Sequence, residues 1–222
     1  MEADRELKDF SNVFSRNPME FATVAREYCV FVENVGDYTK KDYMTVAARL
    51  LPLLYVKASV LPQLERQSDD DLEEIVDEET YEHVRIGIHE KLCSHDDYVE
   101  VFKEDFKYSE SPVAASISED MADIYQDLRN FCEQFQSGVD EIMNDAIVAV
   151  SEKFQSYWGQ RLCNALKALH CALYSGDSLE DEVPVPRSDD YQDDEQQEND
   201  DELGKDGDAP YFLRQMGMKL RR

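Results

Sequence analysis

Apolar residues in the first three quarters of this chain recur at steps of three and four, the spacing that puts them on one face of an α-helix. Phe21, Val24, Ala25, Tyr28, Cys29, Val32 and Val35 form the first stripe. Asn17, Pro18 and Glu20 precede it in the order of an N-cap, a first-turn proline and a carboxylate at the third position. Gly36 follows as a stop, so a helix is expected between them. Thr39 and Asp42 repeat the capping arrangement ahead of Tyr43, Val46, Ala47, Leu50, Leu51 and Leu54. Pro52 lies inside that second stripe, where a missing N–H and a clash one turn back predict a kink or restart near 51–53.

The pattern then weakens. Leu61-Pro62 and the acidic cluster from Asp69 to Glu79 read as an exposed connection, followed by a third helix carried by Tyr81, Val84, Ile88 and Leu92, with Gly87 a weak point in its interior. Residues 96–102 alternate like a short strand, but a lone strand lacks a partner, so the expectation for 94–111 is loop or short helix. Ser116 with Glu119 caps a fourth helix bearing Met121, Ile124, Tyr125, Leu128, Cys132 and Phe135, ended by Gly138. From Val139 to Tyr174 helical spacing continues through Ile147, Phe154, Trp158, Leu162, Leu166 and Leu173. That run spans about 50 Å at 1.5 Å per residue, with Gly159 a possible bend, and is expected to be the spine of the bundle.

Composition divides the chain. The formal net charge is −27 over 222 residues. Residues 177–208 hold fifteen Asp and Glu against Arg187 and Lys205, a charge of −13 with almost no aliphatic content. Such a segment does not bury enough apolar surface to offset its ordering entropy. It gives way to a short coda in which Tyr211, Phe212, Leu213, Met216 and Leu220 alternate with four basic residues. The expected organisation is therefore a helical domain over 1–176, an acidic linker over 177–208 and an apolar, basic segment over 209–222. The domain itself carries −18, which argues against direct nucleic-acid binding or an anionic membrane surface and favours a basic protein as partner.

No run approaches the roughly 18 apolar residues of a membrane span, and the first residues lack the basic-then-apolar order of a leader. A cytoplasmic location follows as an expectation. Cys29, Cys93, Cys132, Cys163 and Cys171 are odd in number and lie in helical apolar patterns, which suits reduced core thiols.

Candidate chemistry is sparse. His83, His89 and His95 surround Cys93, and the four-residue step from His89 to Cys93 suits two zinc ligands, yet no second pair exists to complete a site. There is no Glu-x-x-His pair for a di-metal bundle, and Glu79, His83, Asp96 and Asp97 read as solvated polar faces. A Gly-x-Ser-x-Gly elbow and a phosphate-cradling glycine loop are both missing. Neither cofactor nor metal is therefore expected. Two segments remain, Leu50 to Tyr55 and Trp158 to His170. A proline kink facing a glycine would leave a cleft lined by Tyr55, Trp158, Arg161 and His170.

Those segments also carry a resemblance. Phe21 to Val32, the Leu-Pro-containing Leu50 to Tyr55, and Tyr157 to His170 with its Trp-Gly and Ala-Leu-x-Ala-Leu-His elements resemble the bacterial domain-of-unknown-function family numbered 5063, over about residues 15–175. The resemblance implies a small all-helical protein with no established activity and supplies no catalytic residues. The fold class expected is all-α, a single bundle of five or six helices with a disordered acidic C-terminal tail. The function expected is that of a non-enzymatic interaction or regulatory protein that binds another protein through the apolar coda. The alternative is a ligand- or metal-binding domain, or an enzyme, using the cleft.

Overall fold

The computed structural model describes residues 10–69, 72–100 and 113–180, so the coda and nearly all of the acidic run lie outside the described residues. Helix α1 spans Arg16–Glu33, α2 Lys40–Ser59, α3 Glu78–Leu92, α4 Ile117–Phe135, α5 Asp140–Lys153 and α6 Gly159–Tyr174. A π-helical segment, Phe154–Trp158, joins α5 to α6, so the last helical run is continuous from Asp140 to Tyr174, as its periodicity predicts. No helix among the described residues is long and apolar enough to cross a membrane.

Two caps form as expected. Thr39 Oγ1 accepts from Asp42 N–H at 3.2 Å, and Ser116 Oγ accepts from Glu119 N–H at 3.2 Å, each relieving one of the donors that a helix start leaves unpaired. The first helix begins elsewhere. Its N-cap is Ser15, which leaves Asn17 inside the first turn, where its amide donates across to Val60 O at 2.9 Å. Glu20 is released from a capping role and meets Lys57 of α2 at 2.5 Å. Pro52 does not divide α2: helical backbone runs unbroken from Lys40 to Ser59, and this face packs on α1 and α6, contacts that outweigh one lost hydrogen bond.

Helix α4, rather than the long C-terminal run, is the spine. It touches α1, α3, α5 and α6, and it buries polar Ser118, Asp120, Asp127 and Asn130 along with its apolar stripe. Helix α2 lies against α1 and α6. The core fills with Trp158, Tyr28, Tyr43, Phe21, Leu51 and Leu54, each large side chain contributing on the order of 1.5–3 kcal/mol. Gly87 has a reason to be small: a Cβ there would lie 3.1 Å from Val35 Cγ1.

Three expectations are corrected. The alternating segment is a strand after all: β1 (Asp97–Glu100) pairs antiparallel with β2 (Val113–Ser116), Tyr98 opposite Ala115. Its partner reads Val-Ala-Ala-Ser, too short and bland to register as a strand. Asp96, expected on a solvated face, is completely buried. Its carboxylate accepts from Ser118 N–H and from Ser118 Oγ, both at 2.7 Å, and lies 2.7 Å from His89 Nδ1. It thereby fastens the turn before β1 to the start of α4. Of the five thiols only Cys29 and Cys132 are core, while Cys163 and Cys171 are exposed on the outer face of α6.

Residues 61–69 and 72–77 form no regular element, and side chains hold these segments in place. Asn130 Oδ1 accepts from Ile75 and Val76 N–H at 2.8 and 3.0 Å. Asp145 accepts from Gln67 and Ser68 N–H at 2.7 and 2.9 Å. Buried polar residues in α4 and α5 thus supply the partners that an irregular backbone lacks.

Candidate functional site

The densest chemistry lies where α4 faces the π segment and α6. Asp120, Asp123 and Asp127 follow at steps of three and four on α4, so their carboxylates share a face. Opposite them stand Lys153, Tyr157 and Arg161. At steps of four, an ordinary α-helix would rotate these three away from one another by about 40° per step. The π segment takes more residues per turn, which keeps them nearer to one line. Gly159 permits the wide turn: a Cβ there would meet Phe154 O at 2.4 Å and the Phe154 ring at 2.9 Å.

The contacts make one network. Arg161 reaches Asp120 at 3.2 Å and Asp123 at 3.3 Å while its guanidinium sits 5.3 Å from the centre of the Tyr157 ring. Tyr157 donates to Asp123 at 2.7 Å, and Tyr81 of α3 donates to its other oxygen at 3.0 Å. Tyr98 of β1 donates to Asp120 Oδ2 at 2.5 Å. Lys153 meets Asp127 at 2.6 Å. The seam thus ties α3, α4, α6 and the hairpin to one another through charge-assisted bonds.

Burial sets its electrostatics. Asp120 is completely buried, which pushes its carboxyl up to about 7 against the opposing pull of Tyr98 and Arg161. Burial likewise raises Asp127, with Lys153 opposing. Burial and the Asp123 charge hold Tyr81 well above the ordinary phenol range. Raised towards neutrality by burial, the Asp120 carboxyl makes the seam sensitive to pH.

Four residues were expected to line a cleft, and the structure places them in three environments. Trp158 is completely buried, its indole N–H donating to Val150 O at 3.1 Å. Tyr55 lies edge-on to Phe154, with ring centroids 5.1 Å apart, so these two share one aromatic stack through Phe154. Arg161 turns to α4. His170 is exposed near the end of α6 and packs on Tyr174. The histidines also part: His89 is taken by Asp96, Cys93 donates to Glu90 O, and His83 borders a separate hollow beside Glu33 and Arg129. A cavity of about 360 Å³ does open between β1 and α6, with Tyr98, His95, Asn164 and Lys167 among its walls. Tyr98, one of its lining residues, is the one that donates to Asp120.

Sequence reasoning passed over Tyr98, Asp120, Asp123 and Tyr157. The three-and-four spacing of the α4 aspartates was a usable signal, but it resembles any solvated polar stripe until a cation is known to face it.

Comparison with known proteins bears on the whole domain. Residues 12–175 match the model of a family described as a domain of unknown function, DUF5063. No curated protein matches the chain. Among solved structures, protein BF1032 from Bacteroides fragilis, a structural-genomics target, is similar with 39% identity and a TM-score of 0.67. The match covers 75% of this chain and 98% of that one.

Proposed function

We propose that this chain, which belongs to the DUF5063 family, is a cytoplasmic, non-enzymatic interaction protein that binds a basic protein. The observation that carries the reading is the charge of −27, which favours association with cationic surfaces and accelerates encounter with them. The seam fits a non-enzymatic role, since Asp120 and Asp123 are taken by Arg161 and neighbouring phenols, and Asp127 by Lys153. The coda residues Tyr211, Phe212, Leu213, Met216 and Leu220 would supply apolar anchors for a groove on the partner, with the acidic run as tether.

The test is capture by the immobilised full chain from native lysate. Basic proteins should dominate the captured set and be released when ionic strength rises from about 0.1 M to 1 M, which contracts the screening length from about 10 Å to about 3 Å. Removing residues 177–222 should abolish capture while leaving helical circular dichroism intact. Capture that is indifferent to charge and salt would sink the reading.

The cavity between β1 and α6 favours a second reading, a domain that binds a small molecule, because an occupant would touch Tyr98 and through it Asp120. A metabolite that raises the melting temperature of the wild type but not of Tyr98→Ala would support it.

A further inference from the structure

Helix α2 has two apolar seams, one buried and one only partly covered: Val46 and Leu50 of the second pack against the edge of the core. Ala47, Leu51, Leu54 and Ala58 repeat at steps of four and three and are all buried. Beside them Val46, Leu50, Leu53, Lys57 and Val60 repeat at steps of four, three, four and three, the repeat that lets one helix pack lengthwise on another. On this second seam Leu53 is 45% and Val60 46% exposed. Between Tyr43 and Ser59 the only charged residues are Arg49 and Lys57, and Lys57 is taken by Glu20.

Val46, Leu50 and Leu53 of this seam, with Val30 and Phe31 of α1, line a groove of about 360 Å³, and Val30 is 45% exposed. Glu27 marks the α1 rim and Arg49 the α2 rim. Both are exposed, and neither has an ion-pair partner among the described residues. In a chain of net charge −27, most faces of two copies would meet acid against acid. Here one acid and one base flank an apolar floor, so the patch is electrically balanced and complementary to itself. A two-fold axis lying in the groove and bisecting the line from Glu27 to Arg49 carries each residue opposite the other.

We propose that this groove binds a second copy of the chain, laying the outer seam of each α2 against α1 of the other copy and setting each Glu27 against the partner's Arg49. The proposal is independent of the basic-partner reading and has the opposite salt dependence. Screening relieves repulsion between two acidic copies, so self-association should strengthen as ionic strength rises from about 0.01 M to 0.15 M.

Sedimentation equilibrium of the full chain tests it. Dimers are expected at protein concentrations on the order of 0.1 mM or below. Leu53→Glu and, separately, Val30→Glu should weaken association by roughly tenfold or more, with unchanged melting temperature and far-ultraviolet circular dichroism. Glu27→Arg alone and Arg49→Glu alone should each be monomeric, since each sets like charges opposite one another. An equimolar mixture of the two should dimerise, because the mixed pair restores both opposite-charge contacts. A wild type that stays monomeric, or a dimer indifferent to Leu53→Glu, overturns the proposal. A monomer that loses thermal stability on Leu53→Glu points to an occupant from within the chain and also overturns it. A mixture that stays monomeric overturns the two-fold pairing.

Discussion

The α4–α6 seam and the outer face of α2 treat their side chains in opposite ways. In the seam, charges that belong in water are buried, and each finds a counter-charge or a phenol: Asp120 has Arg161 and Tyr98, and Asp127 has Lys153. On α2, apolar side chains that belong in a core stand in solvent, among them Leu53 and Val56. A buried charge becomes tolerable only through specific geometry, so the seam is occupied with holding the fold together. An exposed apolar seam is under no such demand, and its unmet tendency to leave water is available to another molecule.

Breaking the seam should give the largest effect. Arg161→Ala leaves Asp120 buried without its cation and is expected to cost about 3–5 kcal/mol in urea unfolding at pH 8. The cost should shrink below pH 7 as the Asp120 carboxyl takes up a proton. A loss that does not vary with pH would mean that Arg161 acts through packing alone.

The wild-type protein should show the same proton directly. Asp120 titrates near 7 folded against an ordinary value of 3.8, so the folded state binds the proton more tightly. Its contribution to stability is full below about 4, falls as pH rises, and is gone above about 7. Relative to Asp120→Asn, the wild type should lose on the order of 4 kcal/mol across that window. Parallel melting curves for the two proteins from pH 4 to pH 8 would contradict the assignment.

Next in size is Gly159→Ala. The new methyl meets backbone at Phe154 O, so the π turn must shift, and about 1–3 kcal/mol of destabilisation is expected. Tyr157 and Arg161 would be displaced together. A double-mutant cycle of Gly159→Ala with Tyr157→Phe should therefore be non-additive, and strict additivity would separate the π turn from the seam.

The smallest effect belongs to the other side of the comparison. Leu53→Glu should change monomer stability by no more than about 0.5 kcal/mol, because the side chain is already half in water. A large loss in thermal melts at low protein concentration would place Leu53 in the core after all.

Much of the fold is legible because its causes are local. Thr39 and Ser116 cap where their spacing to Asp42 and Glu119 says they should, and the stripes of α1, α2, α4 and the last run supply much of the core, although Val46, Leu50, Leu166 and Leu173 are only partly buried. The errors arise where a distant partner decides. Asn17 is not a cap because the helix already starts at Ser15, and its amide N–H instead donates to Val60 O, 43 residues away. Residues 97–100 are a strand because 113–116 come alongside, and Asp96 is buried because Ser118 and His89 meet it there. In the site, Arg161 and the α4 aspartates are visible one by one in the chain, but their pairing is not.

What the amino-acid sequence determined alone is the set of helices, the acidic excess, and the presence on α2 of more apolar surface than one face requires. These depend on residue type and on spacings of three and four, which neighbours along the chain enforce. Only the tertiary structure decided which helix lies at the centre, that a π turn aligns Lys153, Tyr157 and Arg161 against three aspartates, and which α2 seam is left only partly covered. Those outcomes depend on which surfaces meet across the bundle, where desolvation and pairing are fixed by residues remote in the chain.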